Sequence, residues 1–218
     1  MDKKIVTIDG PAGAGKTSVS QALSKRLGWI YVDTGALYRG VAFEVQRAGI
    51  NWQNENELKA LMNGMELNFI MQKGVPVLFS SGEDISAQIR TPDISMLASS
   101  VSAMPIVRKA LLNIQRSIAG QNNAVFEGRD MGTVVFPEAD FKFFLFADLK
   151  IRALRRYKEI KNKNYDLDTV ERDMEKRDKN DSLRKCAPLK PAIDAVMIDS
   201  TYMTLNEVVE KMLIHICI

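Results

Sequence analysis

Histidine and cysteine are almost missing from this chain. Its 218 residues include one histidine, His215, and two cysteines, Cys186 and Cys217. A zinc site built from several histidines or from four cysteines is therefore excluded. A Ser-His-Asp or Cys-His hydrolase is disfavoured, because the one histidine lies near the C-terminus, where chains readily fray. We expect His215 to be a polar position on the last helix.

Long hydrophobic runs are also missing. The densest apolar run, Phe143 to Ala147, is far shorter than the roughly 20 residues of a membrane span. The N-terminus reads Met1-Asp2-Lys3-Lys4 before a short apolar stretch, so it lacks the apolar region of a signal peptide. We expect a cytoplasmic protein with reduced thiols and no membrane partner.

The composition is otherwise ordinary for a folded globular protein, with 46% hydrophobic and 26% charged residues. The net charge of +3 neither demands nor excludes a polyanionic partner. Residues 150 to 190, however, carry 14 basic and 8 acidic side chains, a net charge of +6, which leaves −3 on the remainder. The length predicts one main domain over residues 1–218.

Short apolar runs alternate with helical patterns along most of the chain. This rhythm predicts an α/β fold with a parallel five-stranded sheet flanked by helices. The predicted strands are Ile5 to Ile8, Trp29 to Val32, Ala124 to Glu127, Phe141 to Ala147 and Ala195 to Asp199. The predicted helices are Lys16 to Leu27, Ala36 to Ala48, Pro105 to Ala119, Ile151 to Lys161 and Leu205 to Ile216. A capping box of Thr204 and Glu207 is expected to start the last helix.

One segment breaks this rhythm. Apolar residues occupy every second position in Leu67 to Met71 and in Val75 to Phe79, on either side of Lys73-Gly74. This pattern predicts a β-hairpin, and Pro76 indicates that its second strand is an edge. We therefore predict a small inserted β-rich lobe over residues 64–90.

A phosphate-binding loop is the strongest motif of the chain. It fits GxxxxGK[ST] at each fixed position, between an apolar strand and a helix. The loop consists of Gly10, Pro11, Ala12, Gly13, Ala14, Gly15, Lys16 and Thr17. Its glycines allow backbone N–H groups to surround phosphate oxygens, Lys16 supplies charge to the β and γ phosphates, and the Thr17 hydroxyl can ligate Mg²⁺.

Phosphate binding leaves three functional classes open. A kinase of a small phosphorylated acceptor, a GTPase switch and a nucleic-acid-dependent ATPase all use such a loop. The GTPase is disfavoured because Asn162-Lys163-Asn164-Tyr165 lacks the final Asp of the NKxD guanine motif. The ATPase is not excluded by motif, but few aromatic residues are interleaved with the basic segment to stack on bases.

Arginines lie where an anionic acceptor would need them. Arg39 follows the second predicted strand and Arg129 follows the third, at the sheet edge where ligands of parallel sheets bind. Arg152, Arg155 and Arg156 share one helical face, while Arg177, Asp181 and Arg184 share another. On spacing alone these helical faces are more typical of a solvated surface than of a site, because such faces are commonly solvated and an exposed Arg–Asp pair contributes only about 0.3 to 0.5 kcal/mol.

At these residues the chain resembles the bacterial cytidylate kinases, a family of nucleoside monophosphate kinases. The resemblance runs from about Lys4 to Ile214, and its most specific stretch is GRDMGTVVFP at residues 128–137. It also includes the loop from Gly10 to Ser18, Asp33-Thr34-Gly35-Ala36-Leu37-Tyr38-Arg39 and Ala187-Pro188-Leu189. Glu127 stands where the family often has aspartate, so the charge is kept on a longer side chain.

The resemblance implies a monophosphate-binding role for the lobe at 64–90 and a helical lid at 150–183. It implies ATP binding by the loop through Ser18, and phosphate binding by Arg39, Arg129 and Arg184, with Thr34 as a further substrate-binding residue. Ser99, Arg108 and Asp130 would bind cytosine, and Arg177 with Asp181 the ribose. Lys16, Arg129, Arg152, Arg155 and Arg156 would be the catalytic residues, and Thr17 and Asp33 the metal-binding ones.

The implied reaction is transfer of the ATP γ-phosphoryl to CMP or dCMP, with Mg²⁺ as cofactor. The base assignment is chemically consistent, because Asp130 can accept a hydrogen bond from the cytosine amine while Arg108 donates to the ring acceptors. Adenine also presents an amine beside a ring acceptor, so the resemblance, and not this chemistry, favours cytosine. Uracil has a carbonyl in place of that amine, so Asp130 would face a second acceptor. We expect a monomer that acts on small molecules and binds neither nucleic acid nor membranes.

Overall fold

The computed structural model describes residues 3–72, 75–160 and 166–216. Helices α1 to α8 span Lys16–Leu27, Thr34–Ala48, Glu55–Gly64, Pro92–Val101, Pro105–Ala119, Leu149–Glu159, Leu167–Leu183 and Leu205–Ile216. Strands β1 to β8 span Ile5–Asp9, Ile30–Asp33, Leu67–Gln72, Val75–Ser80, Glu83–Asp84, Ala124–Gly128, Phe141–Phe146 and Val196–Asp199. A 3-10 turn lies at Gln88–Arg90 and a π-helical turn at Met131–Val135.

The predicted parallel sheet is confirmed. Its five strands have the order β2-β6-β1-β7-β8, and each pair is parallel. Asp9 at the end of β1 pairs with Gly128 of β6, and Asp33 at the end of β2 pairs with Glu127. Carboxyl ends of neighbouring parallel strands meet at one edge, so this register brings the ends of three strands together.

Helices cover both faces of the sheet. Successive side chains of each buried strand point to opposite faces, so each strand contributes residues to the cores on both sides. Val125 of β6 belongs to a core with α1 and α8, including Leu23 and Met212. The next residue, Phe126, belongs to a second core, where Leu112 of α5 packs. This arrangement explains why the strands are near-continuous apolar runs rather than alternating ones.

The predicted inserted lobe contains a three-stranded antiparallel sheet, in the order β3-β4-β5. The hairpin is confirmed, although its turn at Lys73-Gly74 lies outside the described residues. The prediction of β4 as an edge strand was wrong, because β5 pairs with Phe79 and Ser80 at its far end. Pro76 lies away from that short pairing, where its missing N–H leaves no ladder bond unmade.

The small sheet is attached to the main body through α2. Leu67 and Leu78 of the small sheet are buried in the same core as Leu37 and Val41 of α2. A Cβ added to Gly40 would lie 2.9 Å from the Leu78 side chain, so the sheet rests directly on the helix backbone. The Ser80 hydroxyl also donates to the buried Glu44 carboxylate at 2.6 Å.

Helix α2 begins two residues earlier than predicted, because the Asp33 carboxylate caps it by accepting from the backbone N–H of Ala36 at 3.1 Å. Helix α7 ends at Leu183, so Arg184 lies just beyond the helical face on which we predicted it. There its Nε donates to the carbonyl of Ala187 at 2.6 Å.

The C-terminal helix is as predicted. Thr204 and Glu207 form the capping box, with the Glu207 carboxylate accepting from the Thr204 backbone N–H at 2.7 Å. His215 is exposed on this helix, and its ring meets Phe143 edge-on at 6.4 Å between centroids. Cys217 lies outside the described residues.

None of the helices in the described ranges combines the length and apolarity required to cross a membrane.

Candidate active site

One cleft of about 1410 Å³ opens where the ends of β1, β2 and β6 meet. Most of the predicted site residues line it together. They are Ala12, Gly13, Ala14, Gly15, Lys16, Thr17, Ser18, Asp33, Thr34, Arg39, Ser99, Arg108, Arg129, Asp130, Arg155, Arg156, Arg177, Asp181 and Arg184. Gly10, Pro11 and Arg152 are not part of this lining and support it from behind.

The phosphate loop has the backbone form that its glycines allow. Gly10 has φ 147° and Gly13 has φ 72°, conformations that side chains rarely permit. A Cβ on Gly10 would lie 1.9 Å from the carbonyl oxygen of Leu145, and one on Gly13 would lie 2.7 Å from the Met174 side chain. The loop is therefore packed tightly between β7 and α7, and its free face is the cleft.

Lys16 is held inside the loop, with Nζ donating to the carbonyl of Pro11 at 2.6 Å. Burial, and then the positive charge of Arg129, lowers the pKa of Lys16 well below its usual value. Arg177 adds to this repulsion. An anion in the cleft would relieve the repulsion, so the site gains favourable electrostatic energy when phosphate enters.

Thr17 faces Glu127 across the cleft floor. Its hydroxyl donates to Glu127 Oε2 at 3.2 Å, and the Tyr31 hydroxyl donates to Oε1 of the same carboxylate. Burial and the nearby Asp33 raise the pKa of Glu127. Hydroxyl and carboxylate oxygens are the ligands that Mg²⁺ prefers, so Thr17 and Glu127 fit this ion.

Both carboxylate oxygens of Asp33 already accept hydrogen bonds from the protein. Its Oδ1 accepts from the backbone N–H of Ala36 at 3.1 Å, and its Oδ2 accepts from Arg39 at 2.6 Å. Burial alone would raise the pKa of Asp33, but the Arg39 guanidinium holds it below its usual value. The neighbouring Thr34 hydroxyl donates to the carbonyl of Glu127 at 2.6 Å, which ties α2 to β6.

Asp130 is buried between two arginines. Arg108 donates to its Oδ2, and Arg184 lies 3.5 Å from Oδ1. The Arg108 guanidinium also stands 5.3 Å from the centroid of the Tyr38 ring, within the range of cation–π attraction. Together these residues form a polar wall with one carboxylate acceptor and several N–H donors.

A second carboxylate, Asp181, is also buried between cations. It accepts from the Ser99 hydroxyl at 2.8 Å and from Arg129 Nε at 3.0 Å. Burial would raise the pKa of Asp181, but Arg129, Arg177 and Arg184 hold it below its usual value. These contacts join α4, α7 and the loop after β6, so distant parts of the chain share one cluster.

Arg177 differs from the other arginines of this cluster. Within the described residues, its guanidinium has no carboxylate within ion-pair distance and its Nε has no hydrogen-bond partner. Burial and the charge of Arg129 lower the pKa of Arg177 to about 10. It is therefore a half-buried cation, with a buried Nε, that is available to an anionic ligand.

The three arginines of α6 have different surroundings. Arg152 Nη1 donates to the carbonyl of Ala12 at 3.1 Å and to Asp178 at 2.5 Å, so it supports the phosphate loop. Arg155 donates to the carbonyl of Ser200 at 2.6 Å. Arg156 pairs with the exposed Glu159 at 3.1 Å.

Asp9 is a site residue that the sequence analysis missed. Its two carboxylate oxygens accept from the backbone N–H groups of Met131 and Gly132, each at 2.8 Å. Burial raises the pKa of Asp9 to about 6. These bonds anchor the π-helical turn that follows Arg129 and Asp130. The available signal was the position of Asp9 at the end of β1, directly before the loop.

Tyr31 was missed as well. Strand side chains two positions apart share a face, so Tyr31 lies on the same face as Asp33. Asp33 in turn pairs with Glu127 in the sheet register. The alternation of β2 could have placed Tyr31 near that carboxylate, but only the strand order shows that β2 and β6 are neighbours.

Comparisons with known proteins agree with this geometry. The family model described as cytidylate kinase matches residues 6–217. Cytidylate kinase from Syntrophotalea carbinolica is 47% identical over 211 residues, covering 96% of this chain and 90% of that protein. Cytidylate kinase from Geobacter sulfurreducens is 46% identical over 210 residues, covering 95% and 90%.

Solved structures share the fold at much lower identity. Shikimate kinase from Bacteroides thetaiotaomicron matches with a TM-score of 0.51 and 13% identity, covering 99% of both chains. An uncharacterized protein from Eubacterium ventriosum matches with a TM-score of 0.53 and 13% identity, covering 99% of this chain and 98% of that one. The structural matches concern the fold alone, but the sequence relatives go further: the chain belongs to the cytidylate kinase family of phosphotransferases.

Proposed function

We propose that this enzyme transfers the γ-phosphoryl group of ATP to CMP and dCMP, giving ADP with CDP or dCDP. One observation carries the proposal. A single cleft contains both the phosphate loop and the wall formed by Arg108, Asp130 and Arg184. Donor and acceptor can therefore be bound facing each other, as direct transfer between two nucleotides requires.

The donor side is the phosphate loop from Gly10 to Ser18. Backbone N–H groups and Lys16 would hold the β and γ phosphates. Mg²⁺, when bound, neutralises charge that develops between these phosphates. Thr17 and Glu127 would hold it, while both oxygens of Asp33 already accept hydrogen bonds, so we assign Asp33 an outer role.

The acceptor side is built from buried and half-buried arginines. Arg39 and Arg129, aided by Thr34 and Arg184, would bind the CMP phosphate. Bidentate guanidinium groups suit such an anion. Ser99, Arg108 and Asp130 would bind the cytosine, because Asp130 can accept from its amine while Arg108 donates to its ring acceptors. Asp181 and Arg177 would bind the ribose.

The chemistry requires no general base. The second pKa of a phosphate monoester is about 6, so the CMP phosphate arrives largely ionised. Catalysis then consists of holding two anions in line and stabilising the charge of the transferring group. Lys16, Arg129, Arg155 and Arg156 would supply that charge, and Arg152 would keep the loop in place through Ala12.

Two segments would move during this cycle. We assign residues 64–90, with the small antiparallel sheet, to a monophosphate-binding lobe within the 1–218 kinase domain. We assign residues 150–183, with α6 and α7, to a lid. Closure of the lid would exclude water that otherwise hydrolyses ATP.

An ADP-release assay across acceptors tests the proposal. CMP, dCMP, UMP, AMP and GMP are compared at fixed ATP and Mg²⁺, with a no-acceptor control and an arm with single-stranded nucleic acid. We expect CMP and dCMP to give the fastest release. Release that depends on nucleic acid and on no monophosphate would contradict the proposal and favour an ATP-driven motor.

We further propose that the enzyme acts in the cytoplasm as a monomer. The residues assigned to both substrates come from one chain, which supports a complete site in each molecule. Sedimentation at the concentration used in the assay measures the oligomeric state directly.

A further inference from the structure

Tyr31 reaches the cleft floor only through its hydroxyl group. The residue lies in the middle of β2, is half-buried, and is not part of the cleft lining. Its hydroxyl donates to Glu127 Oε1, the oxygen opposite the one that accepts from Thr17. Tyr31, Glu127 and Thr17 thus form a continuous hydrogen-bonded chain from the sheet edge to the phosphate loop.

Glu127 requires such support more than a shorter acid would. A glutamate has one more rotatable bond than an aspartate, so more conformational freedom must be lost to fix its carboxylate. Glu127 is buried and lies beside another acid, Asp33, whose charge would repel it. A hydrogen bond from a rigid aromatic side chain fixes the carboxylate against that repulsion.

Sheet geometry gives this bond a fixed direction. Asp33 pairs with Glu127 across β2 and β6, and Tyr31, two residues before Asp33, shares its face of the sheet. The ring therefore leans along β2 toward the carboxylate from a backbone that is itself hydrogen-bonded to β6. Glu127 in turn accepts from the Thr17 hydroxyl at 3.2 Å, so one carboxylate connects Tyr31 to the other residue to which we assign the metal.

We propose that Tyr31 is a positioning residue that orients the Glu127 carboxylate toward Thr17, and thereby sets the affinity of the site for Mg²⁺. This inference rests on the proposed function, because the metal is the one that phosphoryl transfer uses. Partners that orient metal ligands typically change metal affinity by about 10- to 100-fold when removed. Tyr31 itself contacts neither nucleotide in this assignment.

The first test is Tyr31→Phe, which removes the hydroxyl and keeps the ring. Mn²⁺ is titrated into enzyme saturated with ADP, and free Mn²⁺ is followed by electron paramagnetic resonance. We expect the dissociation constant of Mn²⁺ to rise about tenfold. Tyr202→Phe is the matched control, because Tyr202 is 92% exposed, and its constant should stay within about twofold of wild type.

Steady-state kinetics then distinguish a loss of Glu127 orientation from a general disturbance of the active site. In Tyr31→Phe the free Mg²⁺ concentration at half-maximal rate should rise about tenfold, while KM for CMP stays within about twofold because the acceptor wall is untouched. A rise in KM for CMP with no change in Mg²⁺ dependence would overturn the proposal. If wild-type enzyme itself fails to phosphorylate CMP, the proposed function fails instead, and the Mn²⁺ titration still tests the role of Tyr31.

A double-mutant cycle with Glu127→Gln gives the decisive result. If Tyr31 acts only through Glu127, adding Tyr31→Phe to Glu127→Gln should change Mn²⁺ affinity by less than about twofold, because the oriented group is already lost. Full additivity of the two effects would overturn the proposal. Thermal unfolding of each variant identifies any that fails to fold, and in that case Tyr31→Leu, which has no hydrogen-bond donor on its side chain, replaces Tyr31→Phe in the titration.

Discussion

Two groups of arginines line the same cleft, but they are held in different ways. Arg39, Arg108 and Arg129, which we call the paired arginines, each donate to a buried or half-buried aspartate. Arg155, Arg156 and Arg177, which we call the lid arginines, contact backbone carbonyls, an exposed glutamate, or no carboxylate of the described chain. The first group is oriented by carboxylates before substrate arrives, whereas within the described residues no buried carboxylate holds the second group.

The difference shows how one site can contain both arginines of fixed orientation and arginines on a segment that we expect to move. A guanidinium held by a buried carboxylate keeps its direction, but the negative charge of the partner offsets part of its electrostatic potential. A guanidinium without a buried carboxylate partner keeps more of that potential and gains more when a phosphate enters. We infer that the paired arginines recognise the acceptor, and that Arg129 also stabilises the group in transfer. Of the lid arginines, Arg155 and Arg156 supply charge to that group, while Arg177 binds the ribose. Replacing an arginine of the first group and one of the second should therefore have different effects on the free energy of unfolding and on kcat.

The largest effect is expected for Arg129→Ala. This change removes a cation of the acceptor site and leaves the buried Asp181 with fewer partners. The value of kcat should fall roughly 10²- to 10³-fold, and the free energy of unfolding should fall by about 2 kcal/mol. ATP affinity should change little.

Steady-state kinetics with CMP and urea unfolding check both parts of the Arg129→Ala prediction. The matched control is Arg26→Ala, since Arg26 forms an exposed pair with Glu210 and should contribute at most about 1 kcal/mol. Unchanged turnover with CMP would exclude the role of Arg129.

A smaller effect, on selectivity, is expected for Asp130→Ala. Without the carboxylate, the site no longer accepts from the cytosine amine, and Arg108 loses its partner. The ratio of kcat/KM for CMP to that for UMP should fall about tenfold, the value of one hydrogen bond to a charged group. The two substrates serve as controls for each other in one preparation. Equal losses of kcat/KM for CMP and UMP would show that Asp130 does not recognise the cytosine amine.

Arg156→Ala probes a lid arginine. The expected fall in kcat is about tenfold, from one lost charge near the transferring group. Because its partner Glu159 is exposed, the free energy of unfolding should change by less than about 0.5 kcal/mol. Kinetics and urea unfolding are measured as for Arg129→Ala. A loss of stability as large as in that variant would remove the distinction between the two groups.

The last prediction concerns stability rather than turnover, at an acid that pairs with no arginine of the described residues. The pKa of Asp9 is raised from 3.8 to about 6, so the folded chain keeps a proton that the unfolded chain has released. Its contribution to stability is therefore fully present below about pH 4 and is lost as pH rises through about 6.

Asp9→Asn removes this titration. The free energy of unfolding of wild type, relative to this variant, should fall by about 2 kcal/mol between pH 4 and pH 7. Urea unfolding at several pH values measures the difference. A difference that stays constant with pH would contradict the raised pKa.

Much of the fold could be predicted from the sequence. Helices α1, α5 and α8 begin and end where their apolar periodicity indicates. Helix α3 was missed because Leu58 is its one buried side chain, which leaves almost no apolar period. Helix α4 was missed although Thr91 and Pro92 mark its start, because small Ser and Ala residues dilute its pattern.

The parts of the site that belong to short sequence motifs could be predicted. The phosphate loop and the arginine after β6 both follow from short stretches of sequence. Pairings across the chain do not, because Arg129 meets Asp181 52 positions away and Tyr31 meets Glu127 96 positions away. Such contacts depend on strand order and on how α7 packs, which no local pattern contains. Asp9 was missed for the same reason, since its partners lie in a turn after β6.

The most direct measurement of the central claim is the phosphorus NMR spectrum of a mixture of enzyme, ATP, Mg²⁺ and CMP. We expect the signals of ADP and CDP to grow in equal amounts, with little inorganic phosphate, because the γ-phosphoryl passes straight to the CMP phosphate. ADP that appears with inorganic phosphate, while CMP remains unchanged, would contradict phosphoryl transfer to CMP in this cleft.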